Sequence, residues 1–272
     1  MSDDPELAKA LAGRDEGWHP SWARGTKKAI RRLAKHEVTT IGELLLALPS
    51  LPAAARGDAV YLLGRLGRKR DAGVLIKQFD AERSAAVRQA IVVALGQIGG
   101  KRACKALARW VADAKHPTEL RCAACHALMS FFDQPDPTLL DTLLRVAASK
   151  QEEPVLRGQA LEAIQSQVAL EEVDAALWRR IIDLLFACLQ DPSGEVRFWA
   201  IFAVGQVRAK QLVPELRWLE ETDDVVGPLG WENREEARDM IHFLTTGEAL
   251  EPDAYERMVA SRSTASSNSS DS

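Results

Sequence analysis

Six arginines, Arg56, Arg88, Arg121, Arg157, Arg197 and Arg234, recur at intervals of 32, 33, 36, 40 and 37 residues and carry matching apolar neighbours. Three positions after them stand Ala59, Ile91, Ala124, Ala160, Ala200 and Ala237. Six after them stand Leu62, Ala94, Ala127, Ala163, Ala203 and Met240, and seven after them Leu63, Leu95, Leu128, Ile164, Val204 and Ile241. The position before the arginine is Ala, Val or Leu in five cases, and Asn233 is the exception. Offsets of −1, +3, +6 and +7 draw one buried stripe on a helix. A period of this size marks stacked supersecondary units, none of which can bury its apolar face alone.

A second apolar segment follows each of the first five: AGVLIKQF, ACKALARWVA, TLLDTLLRVAA, LWRRIIDLLFACL and QLVPELRWL. The unit is therefore helix, turn, helix, with small residues at +3 and +6 admitting close neighbours. Gly64, Gly96 and Gly205 stand at +8, where they read as left-handed helix terminators. The arginine column reads as a ladder between repeats, pairing with turn acids such as Asp80, Asp113 and Asp191.

The run from Asp191 through Val196, Arg197, Ala200, Ala203, Val204 and Gly205 resembles the short bacterial HEAT repeat, and Val87-Arg88 with Ala94-Leu95-Gly96 and Ile98-Gly99 does so nearly as well. The resemblance spans about residues 53–244. It implies an all-α chain: an α-solenoid of about five to six HEAT-like helical hairpins, with a concave surface lined by the second helices. The chain divides into an acidic segment over 1–20, a basic helical cap module over 21–52, the solenoid over 53–244, and an acidic then Ser-rich disordered tail over 245–272. Polar, low-complexity composition carries the disorder expected of 261–272. Short bacterial HEAT repeats of this type also occur in bilin lyases, so the resemblance implies a bilin-lyase-like chaperone or enzyme as one alternative.

Several local motifs dissolve in the repeat. Cys122-Ala-Ala-Cys125-His126 has haem-attachment spacing, but Cys125 falls in a slot held by Val60, Val92, Leu161 and Ile201 elsewhere. No second ligand pair completes a zinc site, so neither cofactor nor metal is expected. Gly96–Lys101 imitates a phosphate loop but lacks its first Gly and its Ser/Thr. No nucleophile elbow, H-E-x-x-H or Ser/His/Asp set is present, so no enzymatic role is expected. The N-terminus has no apolar signal core and no run is long enough to span a bilayer, which predicts a cytoplasmic protein without membrane attachment.

Charge is unevenly placed. Residues 21–110 hold 18 Lys/Arg against 6 Asp/Glu, whereas residues 111–272 hold 15 against 28. The leading reading is a non-enzymatic scaffold, adaptor or regulator binding a protein partner, with Lys77, Lys105, Arg109, Arg145 and Trp218 on the second helices as contact residues. The alternative is nucleic-acid binding by the basic half through Lys27, Lys28, Arg31, Arg32 and Lys35. The run Val38–Leu45 resembles the helical module of bacterial RNA polymerase alpha subunits, and a solenoid cap explains it as well. HEAT-like DNA glycosylases hold DNA with concave aromatics, a carboxylate and basic residues; Trp110 and Asp113 lie one turn apart, but no glycosylase signature surrounds them.

Overall fold

The computed structural model describes residues 28–36, 40–130, 137–168, 173–230 and 232–248. The acidic segment 1–20 and the Ser-rich stretch 261–272 lie outside them. The described residues are helices joined by turns, with one isolated bridge between Val226 and Glu232. The chain divides into two compact units, Met1–Gln134 and Pro135–Ser272.

In the first unit, helical residues 28–34 precede α1 (Ile41–Ala47), α2 (Ala53–Leu66), α3 (Ala72–Ala81), α4 (Ala85–Ile98), α5 (Lys101–Ala112) and α6 (Thr118–Leu128). The second holds α7 (Pro137–Ala148), α8 (Pro154–Val168), α9 (Ala175–Leu189), α10 (Gly194–Gln206), α11 (Val213–Thr222) and α12 (Asn233–Thr246). The arginine-bearing helices stack as one layer: α2 on α4 on α6, and α8 on α10 on α12. The other helices form a second layer, α3 beside α5, and α7 beside α9 beside α11. This is the two-layer construction of an α-solenoid. Local signals set the starts: Thr40 and Glu43 form a capping box on α1, and Asp174 accepts from the Leu177 N–H at 2.7 Å on α9.

The +3 and +7 residues are buried in all six units, and the +6 residues in five, Met240 being half-buried. The glycines at +8 do something other than terminate. Gly64, Gly96 and Gly205 all lie inside their helices, before Leu66, Ile98 and Gln206. A Cβ on Gly96 would lie 3.0 Å from Ala127 Cβ, and one on Gly205 would lie 2.1 Å from Met240 Sδ. Glycine stands there because the next first helix passes too close for a side chain. Positive φ falls elsewhere: Gly99 (φ 71°) and Gly100 (φ 90°) turn the chain from α4 into α5 where the phosphate-loop imitation stood, and Gly247 (φ 84°) is the left-handed cap of α12.

The ladder exists, with different rungs from those expected. Arg56 grips Glu82 through two bonds of 2.7 and 2.9 Å and also donates to the Leu51 carbonyl. Arg197 grips Asp223 at 2.6 and 2.8 Å and donates to the Asp191 carbonyl at 2.8 Å. Arg157 donates to the Ala147 carbonyl at 3.0 Å and to the Asp191 carboxylate at 2.7 Å. Each of these arginines therefore ties the end of the preceding second helix to the turn that follows its own repeat. The turn acids are shaped for it, since Glu82, Asp113, Asp191 and Asp223 all accept a backbone N–H two residues on. Of the three acids expected, Asp191 receives a ladder arginine, while Asp80 meets the exposed Arg109 at 3.6 Å.

Two rungs are modified. Arg88 lies 3.2 Å from His116 Nδ1, with its guanidinium 4.3 Å from the Phe79 ring centroid. Burial, then the Arg88 charge, lowers the His116 pKa, so the neutral imidazole accepts the bond. Asn233, the polar exception at −1, is buried and donates to both Asp223 and the Gly194 carbonyl at 2.9 Å. It replaces apolar contact by two hydrogen bonds at the last turn of the stack.

The Arg56–Glu82 rung predicts an acid-sensitive contribution. The Arg56 hydrogen bonds, with help from the Ser84 N–H and Gln78, hold the buried Glu82 carboxyl down at about 2. A depressed carboxylate stabilises the fold above its unfolded pKa of roughly 4.3, and that contribution is lost as pH falls toward about 2. Glu82→Gln is therefore expected to lower the melting temperature at neutral pH and to flatten its decline between pH 5 and pH 3. An unchanged decline in this variant would contradict the assignment.

Candidate partner-binding surface

The five contact residues read from the sequence are all exposed on second helices: Lys77 on α3, Lys105 and Arg109 on α5, Arg145 on α7 and Trp218 on α11. In the second unit two of them frame a definite surface. A cleft of about 840 Å³ opens between α7 and α9, with Leu144, Ala148, Leu184, Ala187 and Cys188 as its apolar wall. Arg145 lines it, together with Lys150 and Asp183, and Arg180 closes on Asp141 at 2.7 Å. The Arg157–Asp191 rung also lines the cleft, so it is built on a fixed floor.

Burial pushes the Cys188 thiol up to about 11, so its thiolate is scarce at neutral pH. Outside the cleft lining, large apolar side chains stand in solvent on α9 itself, Phe186 at 43% exposure, and on the neighbouring α11, Trp218 at 58%. Phe186 was hidden by its apolar character: Ile181, Leu184, Leu185, Cys188 and Leu189 form the buried stripe of α9, while Phe186 shares the exposed side with Arg179, Asp183 and Gln190.

The nucleic-acid set fares differently. Lys28, Arg31 and Lys35 are exposed, Arg32 pairs with Asp58 at 3.0 Å, and Lys27 lies outside the described residues. Trp110 is 1% exposed and stacked on Phe79, with ring centroids 3.6 Å apart. It belongs to the core between repeats and has no face to offer a base, which overturns its pairing with Asp113 as a glycosylase-type site. Cys125 is buried while His126 is exposed, so the C-x-x-C-H residues diverge around α6. Among the described residues no group of three His, Cys, Asp or Glu side chains could hold a metal ion, and no helix is long and apolar enough to cross a membrane.

Comparison with known proteins agrees with the stacking. Residues 74–165 match the family of HEAT repeats, and residues 181–207 match the single HEAT repeat. These are HEAT repeats. The HEAT matches begin in α3 and end at the start of the turn after α10. No curated protein matches the chain. Among solved structures, the complex of CpcE and CpcF of phycocyanin lyase from Nostoc sp. PCC7120 is similar at 22% identity and a TM-score of 0.46, over 60% of this chain and 96% of that one. The matched residues are helical repeats of the kind the stacked helices form.

Proposed function

We propose that the chain is a non-catalytic scaffold that binds a protein partner through the second-helix face of α7, α9 and α11. The observation that carries this reading is the exposure of Phe186 on α9 and Trp218 on α11, on the same layer of helices as the cleft framed by Arg145 and Lys150. Aromatic and arginine side chains are the usual anchors of protein interfaces, and a cleft with an apolar wall accepts a partner's side chain. The rigid ladder beneath keeps the face preorganised, so little ordering entropy is lost on binding.

Capture from native lysate on immobilised full-length chain, with nuclease present, tests the reading. A stoichiometric protein partner retained by wild type is expected to bind the Trp218→Ala variant roughly 10–30-fold more weakly, a loss of about 1.4–2 kcal/mol. The Val155→Ala variant, altered at an exposed residue of a first helix, is expected to retain the partner. Equal retention by Trp218→Ala and wild type would refute this location, and loss of all bound protein on nuclease treatment would refute the protein-partner reading.

A further inference from the structure

The first unit carries a second surface that does not depend on the aromatic face of α9 and α11. On α5 the buried residues are Ala103, Cys104, Ala106, Leu107, Trp110 and Val111. The opposite side holds Lys101, Lys105 and Arg109 at i, i+4 and i+8, all exposed. Such spacing sets the three cations in a line with a rise of about 6 Å between neighbours, spanning about 12 Å of helix. Arg102 leans across to α3, where its Nη1 would lie 2.7 Å from a Cβ built on Gly73. Lys77 adds a fifth exposed cation on α3 itself. The acid facing this group is Asp80, whose pairing with Arg109 at 3.6 Å joins two side chains that are each about 60% exposed. A pair so solvated contributes little and is readily exchanged for a partner's carboxylate.

We infer that α5, flanked by α3, is a docking strip for an acidic helix of a partner protein. Charge complementarity selects the occupant. Carboxylates at i, i+4 and i+8 on a helix repeat with the same rise as the three cations, so a two-turn acidic helix meets them one for one. A nucleic-acid strand fits less well, because single-strand sites combine cations with exposed aromatic stacking platforms. Among the described residues of this unit the exposed large apolar side chains are Leu46 and Val93, while Phe79 and Trp110 are buried. The five cations of α5 and α3 also fall short of roughly six to ten phosphate contacts for a duplex site.

The test is fluorescence anisotropy of the full chain against three labelled probes. The first is a helix-forming peptide of about twenty residues with Glu at every fourth position. The second has the same composition with its glutamates spread round the helix, and the third is an oligothymidylate of similar length. The register-matched peptide is expected to bind tightest. Its affinity should fall about tenfold or more in Lys105→Glu/Arg109→Glu, and further as salt is raised. Both substitutions are on exposed side chains, and the melting temperature verifies that the variant is folded. Trp218→Ala should leave this binding unchanged, which separates the strip from the surface of the second unit. Equal affinity for the two peptides, no effect of the charge reversal, or no peptide binding at all would overturn the inference. Tighter binding of the oligonucleotide would overturn it in favour of a nucleic-acid surface.

Discussion

Replacing Arg157 with methionine is expected to lower the unfolding free energy of the second unit by about 3–5 kcal/mol, the cost of leaving one partner of a buried ion pair uncompensated. Both partners are sealed in, Arg157 at 6% exposure and Asp191 at 5%. The substitution also orphans the Ala147 carbonyl, which the Arg157 Nε–H serves at 3.0 Å. Asp191 keeps the Ser193 N–H, but one backbone donor does not replace a guanidinium. The double change Arg157→Met/Asp191→Leu removes both charges and should regain much of the loss. Arg180→Met supplies the internal control: its pair with Asp141 is 2.7 Å long but exposed, and is worth about 0–1 kcal/mol. Urea denaturation followed by tryptophan fluorescence measures all three. A loss for Arg157→Met no larger than for Arg180→Met would contradict the ladder as the structural tie between repeats.

Alanine at Gly158 and at Gly57 should act with opposite signs. Both glycines lie inside first helices, α8 and α2, where alanine is intrinsically better by about 0.5–1 kcal/mol. At Gly57 nothing stands within 4 Å of the new Cβ, so that gain should appear in full as added stability. At Gly158 the Cβ would lie 2.3 Å from Trp199 Cδ1 and 3.0 Å from its Nε1. Trp199 cannot retreat, since it is buried between the edges of Phe198 and Phe202. Overpacking against such a ring costs about 1–3 kcal/mol, so Gly158→Ala should be destabilising overall. Thermal melts of the two variants decide it. A stabilised Gly158→Ala would mean that α8 and α10 are not packed as closely as described.

The stripe at −1, +3, +6 and +7 was readable in the sequence because burying one face of each first helix forces that spacing. Glycine at +8 was harder, because the same residue serves both left-handed termination and close approach. Only the passage of α6 against Gly96 distinguishes them. The rungs were partly hidden for a related reason. Repeat lengths vary from 32 to 40 residues, so the chain distance from an arginine to its acid is 26 for Arg56 and Arg197 but 34 for Arg157. Asn233 stood out as the polar exception at −1, and nothing in the spacing marked His116 as the partner of Arg88. Each is a hydrogen-bonding partner that the pattern alone does not reveal. On the surface, Lys77, Lys105, Arg109, Arg145 and Trp218 stand exposed on second helices, between the core positions that their segments show. The cleft emerges only when α7, α9 and α11 are set side by side.

Binding of a protein partner on the second-helix face of the second unit is read most directly by hydrogen exchange on the full chain with and without the captured partner. Slowed exchange is expected in α7, α9 and α11, with the first helices α8 and α10 unchanged. Protection confined to residues 28–36, or to the first helices, would contradict it.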